Sequence, residues 1–337
     1  MTTANLSGNR HFTWFKPERR RPTDYESYTL GQQSGPHQWL DVDWPLCFDD
    51  GQEPFTEAAS EIKCTAWDEF RDPMKVWQRP YVSRNNHEEQ ALDGMTKQAL
   101  QDGVADRINP VWRDEILGKY YAAWPFVEYG QFLAICYAVR QVLDATLTFS
   151  LGFQATDKVR HQQDIVHLIF DLKEALPGYS DEQARSAWMD SPALVPTREI
   201  TERLIDSDDW AEIVVVLGLV FEPLVGNLFK TEFMTKNAPI NGDAVTPMIL
   251  ANARRDSKYH LQLVQAIVNM VLADSEHGTD NKKIIGSWLA KWTPLCEKAA
   301  QSLQTVFEID GIDADPFEQG FTRVKNMQSS LVQELGL

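Results

Sequence analysis

The helical periodicity of the chain from about Asn86 onwards constrains the fold more than any other feature. One early segment reads HEEQALDGMTKQALQDGV, with acids in its first turn and apolar residues three to four positions apart. Comparable patterns run through WPFVEYGQFLAICYAVRQVLDATLTF, LGFQATDKVRHQQDIVHLIFDLKEAL, DDWAEIVVVLGLVFEPLVGNLF and TPMILANARRDSKYHLQLVQAIVNMVLAD. No segment shows the period-2 alternation of a β-strand, and no repeat of roughly 20–50 residues is present. The sequence therefore predicts an all-α protein with four long helices in a central bundle.

Composition and charge limit the possible partners. The chain has 337 residues, 43% of them hydrophobic, which is ample for a large core in one or two domains. Its net charge of −17 argues against nucleic acid as a main partner, because phosphates are repelled. The longest aliphatic run, IVVVLGLVF, falls well short of the roughly 20 residues that a membrane-spanning helix needs. We therefore expect no membrane association.

The cysteines and the N-terminus indicate a compartment. The four cysteines lie far apart and form no C-x-x-C pair; they are Cys47, Cys64, Cys136 and Cys296. Free thiols of this kind are typical of the cytosol. The N-terminal MTTANLSGNRHFTWF lacks the apolar region of a signal peptide, so we expect a cytoplasmic protein.

Residues 1–85 differ from the rest of the chain. They are rich in proline, charge and aromatic residues and have no sustained helical period; the tryptophans are Trp14, Trp39, Trp44, Trp67 and Trp77. Disordered tails are poor in aromatic residues, so this composition favours an extended arm that packs against another surface. We predict an arm over residues 1–85, a helical domain over 86–310 and a C-terminal helix over 311–337.

Two histidine segments resemble each other. The first reads Asp157-K-V-R-His161 and the second reads Asp256-S-K-Y-His260, and the two lie 99 residues apart on separate predicted helices. A carboxylate-bridged di-metal site in a four-helix bundle needs two lone Glu ligands and two Glu-x-x-His pairs, because that spacing puts both side chains on one helix face. No histidine here has a Glu three residues before it. The weaker pairs Asp164-x-x-His167 and Asp274-x-x-His277 have the spacing with a shorter acid, which is common by chance in an acidic chain.

The repeated segment resembles a motif of the bacterial multicomponent di-iron monooxygenases. Their catalytic α subunit carries D-E-x-R-H twice; its Glu and His bind iron, and its Asp orients a histidine. In this sequence Lys158 and Ser257 stand where that motif has glutamates. By the same resemblance, Glu128 in V-E-Y-G matches the first lone Glu ligand, and the second falls near Leu217. The remaining positions of the altered site are Asp157, His161, Asp256 and His260.

The likeness is therefore to the β (small) subunit of these hydroxylases rather than to α. TWFKPERRRPTDYE and TAWDEFRDPMKVWQRPYV resemble the arm of β subunits from toluene, phenol, alkene and propane monooxygenases. DWAEIVVVLGLVFEPLV and GSWLAKWTPLCEKAAQSL resemble their later helices, and the likeness covers roughly residues 12 to 305. The resemblance implies a ferritin-like bundle without a complete di-iron site, so we expect no catalytic residue, metal or cofactor in this chain.

The altered site has two possible structures. In one, Lys158 faces Glu128 in an internal ion pair, where good geometry must recover the cost of burying two charges. In the other, Lys158 extends along the helix to solvent. His161 and His260 are expected to be core histidines bonded to Asp157, to Asp256 or to backbone carbonyls.

The arm supplies the candidates for subunit contacts. They are Trp14, Phe15, Arg19, Arg20, Arg21, Tyr25, Trp67, Phe70 and Trp77. Dense aromatic residues in an arm favour burial across a subunit boundary, although a local core is the alternative. The run KPERRR is either an ordinary solvated charge run or a docking site for an acidic groove of a partner subunit or redox protein.

The resemblance implies a role in a larger complex. That complex converts small hydrocarbons to alcohols or epoxides with O2 and NAD(P)H, and alkenes or short alkanes are favoured over aromatics. The di-iron centre is expected in the α subunit, and FAD and a 2Fe-2S cluster in the reductase. Expected partners are α, a coupling protein, the reductase and, in some complexes, a γ subunit. Two alternatives remain open: an autonomous di-metal oxidase with unusual ligands, and a helical scaffold or regulator unrelated to oxygenation.

Overall fold

Helices are the only regular secondary structure in the described part of the chain. A computed structural model describes residues 15–30, 51, 57–142 and 144–337, and no β-strand occurs among them. The prediction of an all-α protein is confirmed. Trp14, Trp39, Trp44 and Cys47 lie outside the described residues.

Eleven α-helices and three π-helical segments follow one another along these residues. The α-helices are α1 Asp24–Thr29, α2 Gln78–Gln101, α3 Ala122–Gln141, α4 Ala145–Ala175, α5 Ala184–Asp190, α6 Val195–Ile205, α7 Trp210–Val216, α8 Thr246–Ala273, α9 Gly278–Ser302, α10 Gln304–Phe307 and α11 Phe317–Glu334. The π-helical segments are Trp112–Tyr121, which leads into α3, and Leu217–Gly226 and Leu228–Thr235, which continue α7. Short 3-10 turns occur at Glu57–Ala59, Trp67–Glu69, Val104–Arg107 and Pro239–Asn241.

Four long helices form the central bundle. Helix α3 packs against α4 and α7, α4 packs against α8, and α8 packs against the π-helical continuation of α7. Helices α6, α9 and α11 cover this bundle from outside, and α2 lies across α4 and α8. The start of α4 is fixed by Asp144, whose carboxylate accepts a hydrogen bond from the Leu147 amide at 3.0 Å. This arrangement brings one face each of α3, α4, α8 and the π-helical segments to a shared centre.

The most apolar helix of the bundle is also its most buried. The continuous helix Trp210–Thr235 is long and apolar enough to cross a membrane by composition alone, but 89% of that window is buried inside the fold. Asp209 caps this helix by accepting hydrogen bonds from the backbone amides of Ala211, at 2.8 Å, and Glu212, at 3.1 Å. Burial on all sides explains why its sequence is apolar all round.

The described parts of the predicted arm pack against the helical domain. Within the arm, the Asp72 amide donates a hydrogen bond to the hydroxyl of Tyr25 at 2.9 Å. The Thr65 amide donates one to Asp274 of the helical domain at 2.7 Å. The Lys63 amide donates to Asn281 at 3.1 Å. Helix α2 begins at Gln78, before the boundary that the sequence predicted at residue 85. The sequence placed this boundary too late because the first turn of α2 carries no periodic apolar signal. The three-part division of the chain stays a prediction.

A glycine contact between α3 and α6 gives a test of this packing. A Cβ added at Gly130 would lie 2.1 Å from Thr201 Cγ2, whereas a Cβ at Gly152 of α4 would meet nothing within 4 Å. We expect Gly130→Ala to lower the free energy of unfolding by about 1–3 kcal/mol, as overpacking does. Gly152→Ala should raise it by about 0.5–1 kcal/mol, because alanine is the better helix former. Urea unfolding of both variants checks this, and equal effects would contradict the packing.

Candidate functional site: a buried charge cluster in the bundle

Helices α4 and α8 exchange two Asp–His contacts at the centre of the bundle. His161 Nε2 lies 3.1 Å from Asp256 Oδ2, and His260 Nε2 lies 3.0 Å from Asp157 Oδ2. Each helix thus supplies the aspartate that binds the other helix's histidine. The Tyr81 hydroxyl of α2 also donates to Asp157 Oδ1 at 2.7 Å. These contacts fix the orientation of both imidazole rings, as buried carboxylates do for ligating histidines.

Arg160 joins the two Asp–His pairs to α2. Its Nη2 bonds to Asp256 and lies 3.2 Å from Asp157 Oδ1, while its Nη1 lies 2.9 Å from Glu89 Oε1. Burial acts to raise the pKa of Asp256, but the hydrogen bond from His161 and the charge of Arg160 outweigh it and hold that pKa well below its ordinary value. The aspartates are therefore held ionised, as acceptors for the two histidines.

Two lysines and two glutamates form the innermost group, which we call the ion cluster. Lys158 Nζ of α4 contacts Glu222 and lies 3.3 Å from Glu128 Oε2 of α3. Lys230 Nζ lies 3.1 Å from Glu128 Oε1 and 2.9 Å from Glu222 Oε2. Trp124 Nε1 donates to Glu128 Oε1 at 3.1 Å. The side chains of Lys158 and Glu128 are each only 1% exposed, so this charge pairing occurs out of contact with water.

The pKa values in the cluster follow from burial and pairing. Burial alone would raise the pKa of both glutamates, but the ammonium groups of Lys158 and Lys230 hold the pKa of Glu128 well below its ordinary value and that of Glu222 at about 2. Burial acts to lower the pKa of Lys230, and the two carboxylates more than reverse this. Both glutamates are consequently held ionised near neutral pH.

The two histidines respond differently to the same centre. Burial acts to lower the pKa of His161, but Asp256 and Glu128 raise it above its ordinary value. Burial lowers the pKa of His260, and its single partner Asp157 does not reverse that effect. His161 also lies near the cluster, with Nδ1 3.8 Å from Glu128 Oε2. The histidine whose pKa is raised is therefore the one that lies near Glu128.

The structure brings most of the residues chosen from the sequence to this centre. Lys158 and Glu128 lie together in the contact that the ion-pair hypothesis describes. Leu217 does not reach the cluster: it is 1% exposed within the apolar core, and Glu222 supplies the carboxylate instead. The alignment by resemblance therefore placed the second glutamate position five residues too early in the chain. Ser257 is half-buried and donates its hydroxyl to the Ala253 carbonyl of its own helix at 2.8 Å.

Sequence reasoning overlooked Glu222 and Lys230. They are the only charged residues between Glu212 and Glu232, in a segment that is otherwise mostly apolar. Because charges are rarely buried unless paired, an isolated acid and an isolated base on one core helix were a usable signal. That signal would have predicted the pairing without any motif.

The weaker Asp-x-x-His pairs do not form sites. Asp164 is buried, whereas His167 is exposed, so the two do not share an environment. Asp274 accepts hydrogen bonds from the His277 amide at 2.8 Å and from the Thr65 amide at 2.7 Å. Asp274 therefore holds the turn before α9 and the segment near Thr65.

The aromatic candidates of the arm fall into two groups. Phe15, Tyr25 and Phe70 are buried inside this chain's own fold, and their role in subunit contacts stays a prediction. Trp67 packs edge-on against Trp210 of the chain itself, with ring centroids 5.5 Å apart, and is half-buried.

The three arginines and Trp77 remain open to contact. Arg19, Arg20 and Arg21 are all exposed, and Trp77 is partly exposed. Their role in subunit contacts stays a prediction.

The fold and this centre define a class: a ferritin-like helical subunit of the hydroxylase type, with Asp–His pairs crossing between two core helices. The same fold occurs in the crystal structure of xenon-pressurized phenol hydroxylase from Pseudomonas sp. OX1, with a TM-score of 0.78, 15% identity and 98% of each chain covered. Residues 44–275 match the family model described as Methane/Phenol/Alkene Hydroxylase. The chain belongs to this family.

Two curated relatives cover most of the chain. The chain is 30% identical to the hydroxylase component small subunit of propane 2-monooxygenase from Rhodococcus jostii, over 98% of this chain and 90% of the relative. It is 29% identical to the beta chain of methane monooxygenase component A from Methylococcus capsulatus, over 86% of this chain and 77% of the relative. Both relatives are named as the small or beta subunit of a larger enzyme.

The donor set at this centre does not fit a di-iron site. Such a site needs carboxylates that bridge and neutralise two cations, together with neutral imidazoles. Here both glutamates already bind ammonium groups, which are donors with no lone pair to offer a metal. Within the described ranges no group of three or more His, Cys, Asp or Glu side chains is arranged to hold a metal ion.

Substitution of Lys158 tests the cluster. Lys158→Met leaves two buried carboxylates with one ammonium group, so we expect a loss of about 3–5 kcal/mol in the free energy of unfolding. Adding Glu222→Gln removes the excess negative charge and should recover part of this loss. Lys97→Met is the matched control, because the Lys97–Asp93 pair is exposed on both sides. Urea unfolding measures all three variants, and a Lys158→Met effect no larger than the control would refute the cluster's role.

The carboxyl groups of Asp164 and Glu89, near Arg160, predict a pH effect. Burial and the neighbouring Glu89 raise the pKa of Asp164 from 3.8 to about 8, although the charges of Arg160 and His161 act in the opposite direction. The folded chain therefore holds a proton that the unfolded chain releases between these values, and stability falls as pH rises through this window. We expect Asp164→Asn to remove this decline and to raise the melting temperature at pH 8.5 relative to the unsubstituted chain. Parallel melting curves at pH 5.5 and 8.5 check it, and an unchanged difference between the two pH values would contradict it.

Proposed function

We propose that this chain is the β subunit of the hydroxylase component of a multicomponent monooxygenase and that another chain holds the oxidising di-iron centre. The observation that carries the proposal is the ion cluster. Lys158 and Lys230 neutralise Glu128 and Glu222, and the resemblance to the catalytic subunits implies that a di-iron site here would need these carboxylates free. Family membership and two relatives named as small or beta hydroxylase subunits support the same role.

An exposed apolar surface supports association with a larger hydroxylase subunit. Phe126, Tyr129 and Leu133 lie three and four residues apart on α3 and are 41%, 46% and 38% exposed. Phe170 of α4 is 62% exposed beside them. Phe126, Tyr129 and Phe170 line an open cavity of about 440 Å³. Apolar clusters of this kind are typical of surfaces that another chain covers.

The proposed reaction belongs to the whole complex. Oxygen and electrons from NADH or NADPH would convert a small hydrocarbon to an alcohol or epoxide, with FAD and a 2Fe-2S cluster in the reductase. Relatives named for propane and methane support short alkanes over aromatic substrates. A coupling protein and, in some complexes, a γ subunit complete the set of proposed partners. Because NAD(P)H is a cytoplasmic electron source, we propose that the complex acts in the cytoplasm.

Iron analysis of a native complex tests this proposal. We expect affinity-purified chain to carry with it a larger subunit of roughly 500 residues, and iron to remain with that subunit after the two are separated. His161→Ala and His260→Ala should leave the iron per complex unchanged, because neither histidine has metal to bind. Iron quantification and subunit composition of each purified complex provide the measurement.

Two results would contradict the proposal. Tightly bound iron in the isolated chain, lost on His260→Ala, would make this chain a di-metal oxidase in its own right. A stable monomer with no companion and no link to oxygenation would favour a separate helical scaffold.

A further inference from the structure

The first half of α2, residues 78–91, buries little apolar surface. Its buried side chains are those of Tyr81 and Asn85, one aromatic and one polar. The second half of the helix differs, because Leu92 is buried and Leu100 packs partly buried against the apolar core. Apolar burial supplies most of the free energy that holds a helix on a fold. The first half must therefore be held by contacts of another kind.

Two polar contacts join this half of α2 to α4. The Tyr81 hydroxyl donates to Asp157 Oδ1 at 2.7 Å, and Glu89 Oε1 lies 2.9 Å from Arg160 Nη1. The Tyr81 ring also stacks on Phe153 of α4, with centroids 4.3 Å apart. The Glu89 side chain is 36% exposed, so water competes with Arg160 for its carboxylate.

Two further contacts join it to α8. Glu88 pairs with Arg255, and these side chains are 23% and 28% exposed. The Arg84 guanidinium lies over the ring of Tyr259, 5.1 Å from its centroid. Partly exposed ion pairs and cation–π contacts each contribute modestly to stability. The first half of α2 is consequently held to both helices mainly by charge and hydrogen bonds.

A small cavity lies between this half of α2 and the Asp157–His260 pair. Its volume is about 40 Å³, and its lining includes Tyr81 and Arg84 of α2 together with Asp157 of α4 and His260 of α8. Both members of the Asp–His pair are buried. The first half of α2 therefore covers the pair and the cavity beside it.

We propose that residues 78–91 form a lid over the Asp157–His260 pair and that this lid opens while the four-helix bundle stays folded. Segments with few buried apolar contacts open locally at a lower free energy than the whole chain unfolds. Opening admits water and small solutes to the cavity and to the imidazole of His260. The inference does not depend on the proposed function, since it concerns contacts within this chain.

The charges beneath the lid keep partners when it opens. Asp157 retains Arg160 of its own helix, at 3.2 Å, and Arg255 retains Asp256 at 3.2 Å. Breaking a buried ion pair is costly mainly because it leaves one charge buried and unpaired. Here the glutamates of the lid pass into water, and the arginines below stay paired. Opening therefore avoids the penalty that would keep an ordinary buried pair closed.

Hydrogen exchange of the full chain, followed peptide by peptide with mass spectrometry, tests the lid. In the unsubstituted chain, amides of residues 82–91 should exchange at least tenfold faster than those in the middle of α4. Tyr81→Phe/Glu88→Gln removes one bond to each underlying helix and should speed exchange at residues 82–91 at least tenfold further. Modification of His260 by diethyl pyrocarbonate should accelerate by a similar factor. Burial lowers the pKa of His260, so its ring is neutral and reactive once the lid exposes it.

Two control variants separate lid opening from unfolding of the whole chain. Gly130→Ala strains the contact between α3 and α6 whether the lid is closed or open, so it should speed exchange in α4 but leave residues 82–91 within twofold. Tyr28→Phe/Asp93→Asn makes the same kinds of chemical change at exposed side chains, and Asp93 pairs only within α2, with Lys97. This variant should also leave exchange at residues 82–91 within twofold.

Three results would overturn the lid. The first is exchange at residues 82–91 no faster than in α4, because the segment would then open only with the bundle. The second is acceleration at residues 82–91 by Tyr81→Phe/Glu88→Gln that is absent or no larger than that by Gly130→Ala. The third is unchanged reactivity of His260 despite faster exchange, because the segment would then not cover that histidine.

Discussion

The pairing of two buried lysines with two buried glutamates is the interaction on which the centre of this protein depends. Removing each charge from water costs several kcal/mol, and that cost is recovered only if every charge keeps a close partner. Here each lysine contacts both glutamates, so the four groups form a closed set with no net charge. Because the groups come from α3, α4 and the π-helical continuation of α7, their pairing fixes three bundle helices relative to one another.

The fourth helix is joined to this centre by a second layer of polar contacts. The crossed bonds between His161 and Asp256 and between His260 and Asp157 connect α4 to α8 twice. Arg160 adds a contact from the same centre to α2. A shift of either helix by one residue would separate both Asp–His pairs at once. The polar network therefore defines the register of the bundle, which a purely apolar interface would leave less specific.

The sequence predicted the fold better than the site. Helical periodicity is a local property, so four long helices and the absence of strands could be read from it directly. The two Asp–His segments were equally visible, because the histidines and aspartates recur at the same spacing. Glu222 escaped prediction because the second glutamate position was placed near Leu217 by resemblance alone, with no spacing of chemical groups to fix it. The burial of Tyr25 and Phe70 within the chain could not be predicted either, because composition shows that a ring needs burial but not whether its own chain or a partner provides it.

The centre has an outer layer, the Asp–His pairs, and an inner layer, the ion cluster, and the two have different chemical requirements. The groups that fill the inner layer can therefore differ while the outer layer stays the same. The outer Asp–His layer holds helices together through hydrogen bonds that need no metal, so it stabilises the bundle whether or not a cation lies inside. The inner layer must balance the charge of Glu128 and Glu222, which either cations or ammonium groups can do. With Lys158 and Lys230 supplying that charge, the bundle keeps its shape without an inner metal. In the proposed complex, a subunit built this way would extend the surface of the assembly, and the di-iron centre of the other chain would be the acceptor of the incoming electrons. That division is physically favourable because two competing centres would divide the electrons that one oxygenation requires.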